Sequence, residues 1–284
     1  MIDLHTHSTF SDGSFTPEEL VDMAKKTGLT AMALTDHDCT DGLPRFLAAC
    51  NSAGIQGVRG VEISAEVEKG TMHILGYAFE PDDANLEGML KRIRNGREDR
   101  NRKIILKLNE LGCNISWEEV AGYAGEDVVG RPHFAQALVA NGFVESKQSA
   151  FDRFLAKGRP AYVDRFRQKP SESIAAIVDA GGIAVLAHPF TLELGLRQLR
   201  TLIAEMTEDG LGGIEVYYAE HSPEQIKQYH DLAEEFGLVA TGGSDFHGEA
   251  NPAIRLGCGF GSLHVPDTVL KDLLNRVKQQ TARA

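Results

Sequence analysis

Two histidines two residues apart open the chain, in Ile2-Asp3-Leu4-His5-Thr6-His7, and an aspartate follows in the turn Ser11-Asp12-Gly13. On an extended strand, side chains two apart share a face, so His5 and His7 present two imidazoles to one side and can hold one metal ion. A lone His-x-His is as often incidental as functional, so its weight rests on partners elsewhere. They recur in Thr35-Asp36-His37-Asp38, Gly60-Val61-Glu62, Met72-His73-Ile74, His188-Pro189 and Ser244-Asp245-Phe246-His247. The candidate ligands are therefore His5, His7, Asp12, His37, Glu62, His73, His188, Asp245 and His247. Imidazoles and carboxylates without thiolates suit zinc, manganese or iron, and a set this large exceeds the need of one ion, so two or three cations are implied. Gathering so many ionisable side chains near a core would be costly without cations to compensate them.

The elements that must position these residues alternate. Thr16-Pro17-Glu18-Glu19 supplies a capping hydroxyl, a first-turn proline and two acids, and the helix it starts ends near Gly28. Short apolar runs at 29–34, 56–64 and 72–77 read as strands, with a helix over 42–52 between the first two. The rhythm resumes with helices at 171–179, 199–208 and 223–236 and strands at 182–187, 213–218 and 238–242. An amphipathic helix over 267–278 could close a barrel. Most of the candidate ligands stand near C-terminal strand ends, where parallel α/β barrels carry their chemistry.

From about 82 to 162 helical spacing takes over, with Leu86, Met89, Leu90 and Ile93 and then Ile104, Ile105, Leu108 and Leu111. Over 94–103 the apolar stripe gives way to arginines. If the helix is continuous, Arg97 and Arg100 or Asn101 fall on the face of the flanking hydrophobics. Either that face is charged and solvated, or it looks into a polar site where guanidinium groups reach a phosphate. Gly130-Arg131-Pro132-His133 adds a proline at a helix start, a natural anion site, and Ala156-Lys157-Gly158-Arg159-Pro160 adds a basic loop. Each alone is more often structural; together they suggest a basic lid for an anionic substrate. The expected organisation is a barrel from 1–81 and 163–284 with an inserted helical subdomain over 82–162.

With 284 residues, 42% hydrophobic and 25% charged, the composition is that of a globular protein with ample core. A net charge of −12 disfavours non-specific binding of long nucleic acid. Cys39, Cys50, Cys113 and Cys258 lie far apart with no Cys-x-x-Cys, which argues against a disulfide framework and for a reducing cytoplasm. No apolar run approaches the roughly 18 residues of a membrane span, and no signal-peptide pattern precedes the histidines.

The sequence resembles the polymerase and histidinol phosphatase (PHP) family, whose pattern is met by His5/His7, Thr35-Asp36-His37, Gly60-Val61-Glu62, His73, His188-Pro189 and Ser244-Asp245-Phe246-His247. The match spans nearly the whole chain, and all of the usual ligand positions are filled. The resemblance implies a distorted (β/α)7 TIM-like barrel holding up to three divalent metal ions, Mn2+ in the first place and Zn2+ or Fe2+ as alternatives. By the same analogy His5, His7 and Asp245 share one ion, His73 and His188 a second with Glu62, and Asp12, His37 and His247 a third. Glu62, with two carboxylate oxygens, is the best candidate to bridge.

Within the family, the helical insert is similar to that of stand-alone proteins acting on nucleotides, among them 3',5'-nucleoside bisphosphate phosphatases and enzymes that trim short RNA from its 5' end. The implied reaction is metal-assisted hydrolysis of the 3'-phosphate of a nucleoside 3',5'-bisphosphate, with His188, Asp12 and His247 as catalytic residues. Arg97, Arg100, Arg131, Lys157 and Arg159 are the pool for the second phosphate, and His133 is placed near the substrate or on a metal. Tyr217 or Tyr218 could stack a base, and His188 or His221 could serve as general acid. The alternatives are a 5'-to-3' exonuclease on 5'-phosphorylated RNA, a small-metabolite phosphatase such as one for histidinol phosphate, and a non-catalytic metal-binding module. No stable protein partner and no membrane are implied.

Overall fold

The computed structural model describes residues 1–124 and 129–281. The chain begins with a strand of only two residues, β1 (Ile2–Asp3), and then leaves ladder geometry while the loop after it stays hydrogen-bonded. Helix α1 (Pro17–Thr27) is fixed at its start by reciprocal bonds. Glu19 donates its N–H to the Thr16 hydroxyl at 3.3 Å, and the Glu19 carboxylate accepts the Thr16 N–H at 2.9 Å. Gly28 ends it at φ 77. There follow β2 (Ala31–Leu34), α2 (Leu43–Ala53), β3 (Gln56–Ala65) and β4 (Met72–Tyr77). The helical stretch comprises α3 (Ala84–Glu110), α4 (Trp117–Ala124), α5 (Arg131–Ala140) and α6 (Lys147–Ala150). The chain ends with α7 (Pro170–Asp179), β5 (Ile183–Leu186), α8 (Leu196–Glu208), β6 (Gly213–Tyr218), α9 (Pro223–Phe236), β7 (Val239–Gly243) and α10 (Thr268–Thr281).

The seven strands lie in chain order in one sheet. β1, β2 and β3 are parallel, as are β5, β6 and β7, but β4 runs antiparallel to both of its neighbours. The expected distorted barrel is thus met, and its distortion lies at one place: β3 and β4 form a hairpin, because residues 66–71 are too few for a crossover helix. The reversal matters for the site. It brings the beginning of β4, where His73 stands opposite Ser64, to the end of the barrel at which the other strands finish.

The sheet closes between its first and last strands. Leu4 N–H donates to the Gly242 carbonyl at 3.2 Å, Asp245 N–H to that of His5 at 2.9 Å, and His7 N–H to that of Phe246 at 3.0 Å. Gly243 permits this approach, since a Cβ there would fall 2.3 Å from the His5 nitrogen. Leu75, Tyr77, Ile183 and Val185 form a buried apolar cluster against which α10 packs Val269, Leu270 and Leu273. Three buried aspartates clasp the strand ends to the loops. Asp3 accepts from the Ser244 N–H and hydroxyl, Asp36 from the Ser8 N–H and the hydroxyls of Ser8 and Ser11, and Asp38 from the Ser64 N–H and hydroxyl. Burial pushes the carboxyl groups of Asp3 and Asp36 up against the pull of these donors.

The chain divides into two compact units, Met1–Lys91 with Gln168–Ala284, and Arg92–Arg167. These limits lie inside the 82 and after the 162 suggested by the apolar pattern, because the opening turns of α3 bury Leu86, Met89 and Leu90 and hydrogen-bond Glu87 to the Thr40 hydroxyl. The second unit has a core of its own, built on Ile104, Leu108, Val120, Phe134, Leu138 and Leu155. Among the described residues, no helix is long and apolar enough to cross a membrane.

Candidate metal centre

Glu62, near the end of β3, is the hub of the site and is 1% exposed. Its Oε1 lies 2.7 Å from His73 Nδ1 and 2.9 Å from His188 Nε2, and those two nitrogens are 3.4 Å apart. Its Oε2 lies 3.3 Å from His5 Nε2, 3.2 Å from His7 Nε2 and 3.1 Å from His37 Nδ1. Asp245 Oδ1 stands 3.2 Å from His5 Nε2 and 3.1 Å from His7 Nε2, so that His5, His7, Glu62 and Asp245 converge on one point. His7, Asp12, His37 and His247 form another group, in which Asp12 lies 3.2 Å from His247 Nε2 and 3.6 Å from His37 Nε2. The expected pairing of His5 and His7 on one side holds, although the ladder stops at Asp3: the barrel closure, not β1 itself, sets their direction.

These donors suit divalent cations. His5 Nε2, His7 Nε2, His37 Nδ1, Glu62 Oε2, Asp12 Oδ1 and Asp245 Oδ1 are all buried, and none has a hydrogen-bond partner despite the crowding. Ring nitrogens and carboxylate oxygens crowded together without hydrogen-bonding geometry are an arrangement that a cation between them would satisfy. The outward nitrogens are already taken: His247 Nδ1 donates to the Asp245 carbonyl at 2.9 Å, and His188 Nδ1 lies 3.0 Å from the Thr191 hydroxyl. This is the outer support that metal-binding histidines ordinarily have.

Electrostatics points the same way. Burial alone would lower the His5 pKa, but Glu215, Asp245 and Glu62 raise it well above the usual histidine value, and Asp245 and Glu62 push His7 up to about 10 against the same desolvation. Burial dominates at His37, which falls to about 3. Glu62 and Asp245 are held far below ordinary carboxylates by the surrounding imidazoles despite their burial. At pH 7 the cation-free centre thus holds protons where ligands need lone pairs. Cation binding should expel them, and affinity should rise with pH from neutrality toward the His7 value. Titrations with Mn2+ at pH 7 in buffers of different ionisation enthalpy are expected to show at least about one proton released per chain; a buffer-independent heat, with the same affinity at pH 6 and pH 8, would contradict it.

Comparison with known proteins matches residues 3–246 to the PHP domain. The chain belongs to the PHP domain family. It is 37% identical over 247 residues to a 3',5'-nucleoside bisphosphate phosphatase of Chromobacterium violaceum, with 87% of each protein covered. It is 34% identical over 245 residues to a 5'-3' exoribonuclease of Haemophilus influenzae, covering 86% of this chain and 89% of that one. A solved Bifidobacterium adolescentis protein, assigned as a metal-dependent phosphoesterase, superposes with a TM-score of 0.81 at 32% identity, covering 97% of this chain and 96% of the other. This PHP-domain chain is accordingly a hydrolase, a metal-dependent phosphoesterase.

The substrate candidates of the PHP chain fall into two sets. In the barrel unit, Tyr218 is only 5% exposed and donates its hydroxyl to Asp245 Oδ2 at 2.8 Å, so it supports that carboxylate and is not free to stack a base. Tyr217 packs toward the apolar cluster. His221 is buried among Phe190, Tyr218 and Tyr229 with its Nδ1 bonded to the Val216 carbonyl at 2.9 Å, while its Nε2 has no hydrogen-bond partner among the described residues. Tyr218 packs its ring 5.4 Å from that of His188 and 5.0 Å from that of His221, past a register shift of β6 against β7 between Glu215 and Tyr217.

In the second unit α3 is continuous, and Arg100 and Asn101 are 6% and 2% exposed, so the solvated-face reading of that stretch fails for them. Asn101 donates to the Val129 carbonyl at 2.9 Å, whereas Arg100 Nε has no partner. Burial, followed by the charges of Arg97, Arg131 and Arg167, lowers the Arg100 pKa to about 10. Arg131 stacks on Tyr162 at 5.4 Å, Arg167 pairs with Asp164 at 3.2 Å, and His133 Nδ1 accepts the Gly130 N–H at 3.0 Å, capping α5. Lys157 and Arg159 are exposed. Two residues escaped the sequence reading. Glu215 touches His5 and His188, and its one signal is an acid inside the apolar run of β6; Arg167 lies just outside the basic stretches singled out.

Proposed function

We propose that this protein hydrolyses the 3'-phosphate of nucleoside 3',5'-bisphosphates, adenosine 3',5'-bisphosphate among them, releasing phosphate and the 5'-monophosphate. The reading is carried by one observation: besides the cation-suited centre, the chain has a buried guanidinium at Arg100 that lacks a partner at Nε and is surrounded by further arginines, the chemistry of a second phosphate contact. A simple phosphomonoester would offer Arg100 Nε no second anion. The name of the Chromobacterium violaceum relative supports the same substrate class.

His5, His7, Asp12, His37, Glu62, His73, His188, Asp245 and His247 would hold two or three divalent cations, Mn2+ first and Zn2+ or Fe2+ as alternatives. Bound there, the cations supply charge neutralisation at the phosphoryl oxygens and acidify a water for in-line attack. The protein's own part is placement. Asp12, whose side chain is 34% exposed, and His247 and His37, at 18% and 12%, form the open side of the ligand set, while His5, His7 and Glu62 beneath them are dry. Substrate would enter from that open side, and Arg97, Arg100, Arg131, Lys157 and Arg159 are proposed, on their chemistry alone, as the pool for the second phosphate. Four free cysteines suit a reducing cytoplasm.

Product analysis after adding Mn2+-loaded protein to adenosine 3',5'-bisphosphate tests the reading. The expected result is selective release of the 3'-phosphate, leaving the 5'-monophosphate. Release of mononucleotides from a 5'-phosphorylated oligoribonucleotide, with the bisphosphate untouched, would favour the exoribonuclease reading to which the Haemophilus influenzae relative points.

A further inference from the structure

Glu215 is fully buried on β6, and its two oxygens serve different partners. Oε1 lies 2.9 Å from His5 Nδ1, and Oε2 accepts the backbone N–H of His188 at 2.8 Å. His188 adopts φ 24 and ψ 68, a conformation that a side-chain-bearing residue keeps only where its surroundings over-determine it. A carboxylate has no proton to give, so both bonds must be donated to it. His5 therefore carries a hydrogen on Nδ1, which leaves Nε2, facing Glu62 and Asp245, as the nitrogen that can give a lone pair to a cation. The other oxygen ties down the amide from which the His188 imidazole departs toward Glu62 Oε1.

We infer that Glu215 is a positioning residue of the metal centre, a single carboxylate that fixes the tautomer of His5 and the backbone of His188 and so sets ligands of two cation groups together. The inference rests on the metal reading of the site and adds a residue outside the nine proposed ligands. Its sharpest test is Glu215→Gln, which keeps the volume but can accept on one side only. With the amide oxygen kept on the His188 N–H, the NH2 faces His5 Nδ1, which must then accept. The histidine proton moves to Nε2, and the lone pair is lost from the cation side.

Glu215→Gln is expected to weaken Zn2+ binding by about 10–100-fold in competition with a chelating dye, with the cation-free fold retained by circular dichroism. In the Zn2+-loaded wild type, imidazole 15N shifts should place the His5 hydrogen on Nδ1. A variant that folds and binds Zn2+ as tightly as the wild type would overturn the inference. So would a wild-type His5 protonated on Nε2, and that spectrum decides alone if the variant does not fold. A wild type that binds no Zn2+ would instead overturn the metal reading itself, and the same control titration tells the two failures apart.

Discussion

Glu62→Gln is expected to reduce turnover by about 10³-fold or more. No other side chain of the site meets so many partners: one oxygen faces His73 and His188, the other His5, His7 and His37. An amide in the same volume removes the negative charge and turns one acceptor into a donor aimed at ring nitrogens whose lone pairs the cations need. Because Glu62 touches both groups, the loss should appear as a lower metal content per chain and not merely as a slower reaction at full occupancy. Initial rates on adenosine 3',5'-bisphosphate together with elemental analysis check it. Turnover within tenfold of wild type at unchanged metal content would remove Glu62 from its proposed place at the centre.

Arg100→Leu should separate stability from activity. Elsewhere in a fold, losing a buried arginine costs packing and hydrogen bonds, but here the guanidinium is 6% exposed, its Nε has no partner, and its closest charges repel it. Among the described residues nothing compensates the desolvation of that Nε, so an apolar residue of similar reach should leave the melting temperature unchanged or raise it. A charge-assisted hydrogen bond is worth about 1.5–3 kcal/mol, so kcat/KM for the bisphosphate should fall by about 10- to 100-fold while hydrolysis of p-nitrophenyl phosphate, which has no second anion, stays near wild type. A melting temperature several degrees lower, with both substrates impaired alike, would show Arg100 to be structural.

Much of the barrel is legible because short apolar runs bounded by glycine and capping residues are local signals. The box around Thr16 and the left-handed Gly28 are fixed by residues within a few positions of each other. The direction of β4 is less apparent, since parallel and antiparallel strands can share a composition; the available clue is the length of 66–71. Arg100 could not be settled from the chain either, because a helix stripe that turns basic looks the same whether it faces solvent or a cluster of other arginines.

The sequence by itself determined which side chains could take part: histidines and acids recur at strand ends because strand period and turn chemistry act over two to six residues. Only the tertiary structure decided how they meet. That His5 leans on Glu215, 210 positions away, and that Tyr218 supports Asp245 instead of facing a base, follow from the closure of β1 on β7 and the pairing of β6 with β7. The first contact joins residues 210 positions apart and the second residues 27 apart, and no local rule of spacing encodes either.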